Sequence, residues 1–520
     1  LNVSMEMATI PHGCSRTYAM LRRADTVGVF QLESRAQMAM LPRMKPTQYY
    51  DIVIEISIVR PGPITGGMVH PYLRRRSGEE AVRYPHPALE PILSRTLGVP
   101  LFQEQVMKLA VVAADYTPGE ADRLRRDMAA WRKRGRIEEH RLKITERMVG
   151  KGIERRFAEQ VFEQIRGFGE YGFPESHAAG FAQIAYATAW VRAHYPVIFT
   201  CALLNAWPMG FYTPSTIVHD ALRHGIDVRP VDIVCSEWDC TLEKRSGVGR
   251  TVKRGRASGH KRQQKNVDAS ADDRAFAIRI GFRFVKGIGE DDWSEIYRQR
   301  KRFQLSRYYG GTIPTETLTR FVRALRIDSD RVVRLAETGA FDRIGVDRRT
   351  VIWIALGRTP VAPPAHTLVS VHERAPTFAH LDDFERLTWD YRSLGHSTSA
   401  HPLDPYREWL ERHGYPTASD IRDALDGSDV AYIGMVICRQ RPATASGTIF
   451  MTLEDETGFA NLIIWKRSYE RMRSVLLTTT ILGVRAKVQK RDGTVHLVVS
   501  EVWKPDLPRS VARVISRDFH

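Results

Sequence analysis

The 520-residue chain carries 77 Lys and Arg against 60 Asp and Glu, a formal net charge of +17. That length is too great for one core and implies about three or four domains. No run of roughly 18 apolar residues occurs, so a membrane-spanning helix is excluded. The opening residues show no secretory pattern, and a cytoplasmic protein with no membrane partner is expected. Five cysteines, Cys14, Cys201, Cys235, Cys240 and Cys438, suggest no disulfide framework and a reducing compartment. Cys235 and Cys240 lack the second ligand pair of a zinc site, and no metal ligands are assigned in this chain. The cationic excess favours a polyanionic partner through salt-sensitive phosphate contacts, although arginine-rich composition is also a habit of high-GC genomes.

Residues 25–242 read as mostly helical, with loops at the Pro-Gly clusters. Within them, Thr117-Pro-Gly-Glu120 has the form of a capping box with proline at the first helical position. Ala121, Leu124 and Met128 recur at helical spacing and form the buried stripe. At about 100° per residue, Arg126 lies nearly opposite that stripe and Arg125 beside it. Arg132, Lys133, Arg134 and Arg136 extend the basic run. Guanidinium forks suit phosphate oxygens, but an Arg-Arg pair on a helix is more often plain solvated surface. Periodicity alone yields an anion-facing helix.

Further on, Gly167-Phe-Gly-Glu-Tyr-Gly-Phe173 runs into Pro174-Glu-Ser176-His177. The glycines permit unusual backbone angles, and Ser176 is the expected N-cap of a helix continuing to about His194, before Pro196. Helix N-termini attract anions. A lone histidine at such a place is as readily a structural hydrogen-bonder.

Lys244 to Lys265 holds nine Lys or Arg and no acid, and reads as a flexible basic insertion, with a DNA tether as the alternative. Ile280-Gly-Phe-Arg-Phe-Val-Lys-Gly-Ile-Gly289 has the form of a helix-hairpin-helix entrance. There Gly287, Ile288 and Gly289 let backbone amides approach a DNA phosphate, helped by Lys286. Pro- and Ala-rich residues 358–380 form a linker. Strand patterns at 430–438, 448–454, 459–465, 479–488 and 494–502, with a helix after the third and a turn at Arg491-Asp-Gly493, describe an OB fold. Phe450, Phe459 and Trp465 are candidates to stack single-stranded bases, or equally to fill the barrel.

Several of these segments resemble, in order, landmarks of the bacterial C-family DNA polymerases, which include the polymerase III alpha subunit. They are Thr26-Val-Gly-Val-Phe-Gln-Leu-Glu-Ser34, Arg60-Pro-Gly-Pro63, Phe102-Gln-Glu-Gln-Val-Met107, Leu124-Arg-Arg-Asp-Met128, Gly169-Glu-Tyr-Gly-Phe173 and Ser176-His177. Ile58–Ile64, Met68–Arg76 and the ending Ser516-Arg-Asp-Phe-His520 are most similar to the error-prone, damage-inducible branch. The resemblance implies that Arg125 and Arg126 hold the phosphates of an incoming dNTP. It places Ser176 and His177 at the same pocket and Arg60 in a loop near the active site. Glu104 and Gln105 fall in a motif read as structural.

The resemblance also implies a multidomain, mostly α protein followed by an all-β OB fold. Its parts are a palm-to-fingers remnant (1–24), fingers (25–242), a basic linker (243–273), a helix-hairpin-helix domain (274–357), a linker with helical lead-in (358–427), the OB fold (428–505) and a tail (506–520). Family members place three palm aspartates, which hold two Mg2+ ions, ahead of the motif that begins here at Thr26. Only 25 residues, beginning with Leu1, precede that motif, so the palm aspartates are expected upstream of Leu1. The one Asp-x-Asp present, Asp328-Ser-Asp330, reads as a solvated turn, and Asp25 lacks the expected flanks. The chain is therefore expected to be the C-terminal part of such a polymerase, with no catalytic carboxylate of its own. Expected partners are primer-template DNA, single-stranded DNA through the OB fold, and mutasome accessory proteins. No clamp-binding peptide follows residue 358, so contact with the sliding clamp is expected to be indirect. A non-catalytic DNA-binding fragment is the alternative reading.

Overall fold

The computed structural model describes residues 6–60, 63–64, 67–84, 86–129, 137–168, 173–210, 212–245, 273–357, 376–442, 445, 447–491, 493–509 and 517–519. Leu1 and the rest of residues 1–5 lie outside the described residues, and with them the start of the expected palm-to-fingers remnant. Arg132, Lys133, the glycine turn 169–172 and nearly all of the basic segment also lie outside them, as do 358–375 of the linker.

The first core is helical. It is built from α1 (Ser15–Arg22), α2 (Arg35–Met44), α3 (Tyr49–Ile58), α4 (Val69–Ser77), α5 (Gln103–Ala114), α6 (Pro118–Ala129), α7 (Ile137–Gly150), α8 (Arg155–Phe168) and α9 (Glu175–His194). Helix α3 is buried from Asp51 to Ile58, as its almost continuous Ile and Val content requires of a central helix. It packs against α9, where Ala178, Ala182, Ala185, Ala189 and Ala193 form one face. A face of methyl groups lets the two backbones approach closely.

The second core begins at Pro196, with α10 (Pro196–Asn205) and α11 (Pro214–Arg223). These helices, grouped with the fingers in the sequence reading, place Val197, Leu204, Ile217 and Val218 against the hairpin region. That region has a three-stranded sheet of order β1-β3-β2, with β1 (Val228–Arg229), β2 (Thr241–Lys244) and β3 (Phe276–Arg279). Helices α12 (Glu290–Arg302), α13 (Thr315–Ala324), α14 (Ser329–Glu337) and α15 (Arg348–Leu356) follow. Asp328 caps α14 from outside and is largely exposed beside Arg331, so the Asp-x-Asp is a solvated helix start.

Helix α16 (Asp383–Ser393) leads to the barrel, with short α17 (Arg407–Arg412) and α18 (Ala418–Asp423) between. The barrel strands are β4 (Asp429–Gln440), β5 (Ile449–Asp455), β6 (Gly458–Ile464), β7 (Ile481–Arg491) and β8 (Thr494–Trp503), with α19 (Lys466–Thr478) after the third. All five expected strands and the helix are present. Strand β4 pairs with β7 along its first half and with β5 along its second. The parallel pairing of β6 with β8 completes the closure. Beyond the expected barrel, β9 (Arg517–Phe519) from the tail pairs in parallel with Cys438–Gln440 of β4.

Candidate nucleotide and nucleic-acid sites

Helix α6 starts as its sequence dictates. The Thr117 amide donates to Glu120 Oε2 at 2.9 Å, and the Glu120 amide donates back to Thr117 Oγ1 at 3.3 Å. Ala121 and Leu124 are buried, while the Arg125 and Arg126 side chains are 42% and 65% exposed. Met128's side chain lies outside the described residues. Both arginines bond Asp122 at 2.9 Å, one to each carboxylate oxygen. Those bonds, that of Arg125 first, hold the Asp122 carboxyl below its usual range. The twin arginines are thus gathered into one exposed cationic feature by a carboxylate one turn back. Asp122 is missing from the sequence expectations, although its i, i+3 and i, i+4 spacing marks it.

The start of α9 is assembled from four segments. Arg60 lies 4.8 Å over the Phe173 ring and donates to Gln31 Oε1 at 2.7 Å. Phe173 meets His177 edge-on at 5.1 Å, and His177 packs on Phe181 at 4.2 Å between ring centres. Phe30 closes the row against Phe181 at 5.3 Å. The structure therefore brings Arg60 and His177 together through Phe173. Phe173 and Phe181 stand one turn before and after His177, a spacing that could have marked them.

Ser176 and His177 are both exposed. One expectation is corrected here: the N-cap is Pro174, in extended geometry, and Ser176 is the second helical residue. The local cap is replaced by a remote one, since the Glu175 amide donates to Glu104 Oε2 from α5 at 3.0 Å. Helix α5 packs against α6, so the helix with the twin arginines and the start of α9 share α5 as a common support.

At the hairpin turn Gly287 has φ +84°, a left-handed angle that favours glycine. Ile288 is buried and Gly289 caps α12. Lys286, expected to assist a phosphate, has other partners. Its ammonium donates to the Tyr391 and Arg392 carbonyls, both at 3.0 Å, at the end of α16. Burial, then Arg334, lowers its pKa. Arg334 is exposed, with its Nε 3.7 Å from where a Cβ on Gly287 would stand. The first turn of α12 holds Glu290, Asp291 and Asp292, and Asp292 is bonded by Arg331 at 2.8 Å.

In the OB fold, Phe459 has Arg35 at 4.5 Å and Arg223 at 4.6 Å from its ring centre. Those helices belong to the first and second cores, and Arg223 also bonds buried Glu454 at 2.7 Å. Phe450 is half-buried, and Trp465 is 54% exposed.

Two clusters have metal-ligand composition among the described residues. In Asp25, Asp220 and His224, the Arg192 guanidinium bonds both aspartates, at 2.5 and 2.9 Å. In His219, His401 and Glu454, Arg223 bonds the carboxylate, and the Leu403 amide donates to His401 Nδ1 at 3.1 Å. A ring nitrogen that accepts there carries its proton on the other nitrogen, which does not favour a metal. Neither cluster fits a two-metal phosphoryl-transfer centre.

Comparison with known proteins agrees with this layout. Residues 2–152 match the bacterial DNA polymerase III alpha subunit finger domain, 225–351 a helix-hairpin-helix motif, and 433–505 an OB-fold nucleic acid binding domain. Across 515 residues, 99% of this chain, the sequence is 44% identical to the error-prone DNA polymerase of Methylococcus capsulatus, of which it covers 47%. Over almost all of its length the chain is therefore similar to error-prone DNA polymerases. The error-prone DNA polymerase of Pseudomonas syringae pv. syringae is 44% identical over 99% of the chain and 46% of its own length. That of Mesorhizobium japonicum is 44% identical over 95% and 43%. The chain spans about half the length of these relatives. No helix among the described residues is long and apolar enough to cross a membrane.

Proposed function

We propose that these residues supply the nucleotide-binding fingers and the DNA-binding modules of an error-prone DNA polymerase, which extends a primer from dNTPs across damaged template. The observation that carries the reading is the array at the start of α9. There Arg60, Phe173 and His177 are stacked beside exposed Ser176, on the helix end that favours anions. Through α5 it is tied to the helix bearing Arg125 and Arg126, whose exposed guanidinium groups suit the phosphate tail. The magnesium ions and the carboxylates that hold them belong, in this reading, to a palm upstream of Leu1. Ions held by such carboxylates would supply Lewis-acid chemistry to the primer oxygen and the leaving group. Primer-template DNA meets the hairpin and OB modules, while accessory proteins carry the contact with the clamp.

The purified chain is expected to bind primed DNA, more weakly as salt rises. It is expected to incorporate no nucleotide. Magnesium-dependent extension by it would overturn the placement of the carboxylates. In the intact enzyme, Arg126→Ala is expected to raise the dNTP KM and lower the rate, together by roughly ten- to a hundredfold, with DNA affinity nearly unchanged. Wild-type incorporation kinetics would refute the phosphate assignment.

A further inference from the structure

We infer that Glu104 is a positioning residue for the nucleotide site, holding the first turn of α9 so that Ser176 and His177 face the substrate. This rests on the reading of that site given above.

Gln105 makes the start of α5 a fixed base. Its Oε1 accepts from the amides of Leu101 and Phe102 at 2.8 and 3.1 Å, and its Nε2 donates to Ile92 O and Thr96 Oγ1 at 3.0 and 2.9 Å. From that base two bonds reach the segment entering α9. The Gln103 amide donates to Phe173 O at 3.4 Å, and Glu104 Oε2 accepts from the Glu175 amide at 3.0 Å. Tyr50 of α3 adds a third tie, its hydroxyl donating to Glu175 Oε1 at 2.7 Å.

The Glu104 bond does what a side-chain N-cap does, but from another helix. Pro174 offers no side-chain acceptor, and the next two residues are the exposed Ser176 and His177. Without the carboxylate, the first helical amide loses its partner and the turn frays. Fraying would move His177 out of its row between Phe173 and Phe181. Glu104 touches no reacting atom in this account, and its effect passes through backbone geometry.

The test uses the intact polymerase for kinetics and the 520-residue chain for hydrogen exchange. Glu104→Ala is expected to raise the dNTP KM about fivefold, the equivalent of one hydrogen bond, with a smaller change in kcat and unchanged DNA affinity. Exchange of the amides of residues 175–178 is expected to quicken. Glu104→Gln, whose amide oxygen still accepts, is expected to restore both readouts. Glu104→Asp keeps the charge but falls short of the amide, and should behave like alanine. Wild-type KM in Glu104→Ala alongside an impaired His177→Ala would overturn this inference alone. So would a failure of glutamine to rescue. Wild-type kinetics in both Glu104→Ala and His177→Ala would instead overturn the nucleotide-site reading. Should the alanine variant not fold, the Gln and Asp pair decides by the same criteria.

Discussion

Two helix starts in this molecule look alike in sequence and differ in what they offer an anion. Helix α9 follows a glycine-rich stretch and opens with Glu175, whose amide is already taken by Glu104 and whose carboxylate accepts from Tyr50. Ser176 and His177 then stand exposed beside Arg60 and Phe173. Helix α12 follows the Gly287-Ile-Gly289 turn and opens with three acids, of which only Asp292 is held by an arginine on α14. Its nearest lysine, Lys286, closes the end of α16. Both have the dipole and the glycines, so those features do not distinguish a phosphate site. What separates them is the first turn itself: three acids on α12, against one acid followed by exposed Ser176 and His177 on α9.

Transferring an acid from one start to the other gives the largest expected effect. Ser176→Glu in the intact enzyme makes α9 resemble α12 and is expected to raise the dNTP KM by roughly ten- to a hundredfold. Primer-template affinity should stay within about twofold, measured by anisotropy, since a single screened charge is weak at distance. An unchanged KM would erase the contrast. Next, Lys286→Ala is expected to lower the melting temperature, losing two charge-assisted bonds of about 1.5 kcal/mol each before discounting for partial exposure. The salt slope of DNA binding should not move. A slope that falls with unchanged stability would return Lys286 to the DNA interface. Smallest is Arg334→Ala, the exposed cation beside Gly287. It should weaken DNA binding evenly across sequences and reduce the salt slope by about one unit.

Legibility from sequence followed the range of the interaction. The barrel strands are short runs rich in β-branched residues, separated by a helix and a tight turn, and all five lie close to where those runs place them. The start of α6 was equally plain, because Thr117 and Glu120 cap each other three residues apart. The cap of α9 is not legible from sequence, because its carboxylate lies 71 residues away and Ser176 offers a sufficient local explanation. The bonds of Lys286 are not legible from sequence, because its carbonyl partners stand 105 and 106 residues downstream. Phe459 read as a base-stacking candidate, since no local pattern could show two arginines from other modules against its ring. Of the site, residue types were readable, and which of them meet was not.

The pair of arginines against Phe459 bears on how the barrel moves. Arg35 and Arg223 grip one ring from two separate cores, so the barrel cannot swing from one core while staying docked to it through this ring and leaving the other arginine undisturbed. Any hinge that lifts the ring away frees a pair of guanidinium planes and an aromatic face in one stroke. Undocking the barrel would thereby widen the cationic, stackable surface open to a strand of nucleic acid.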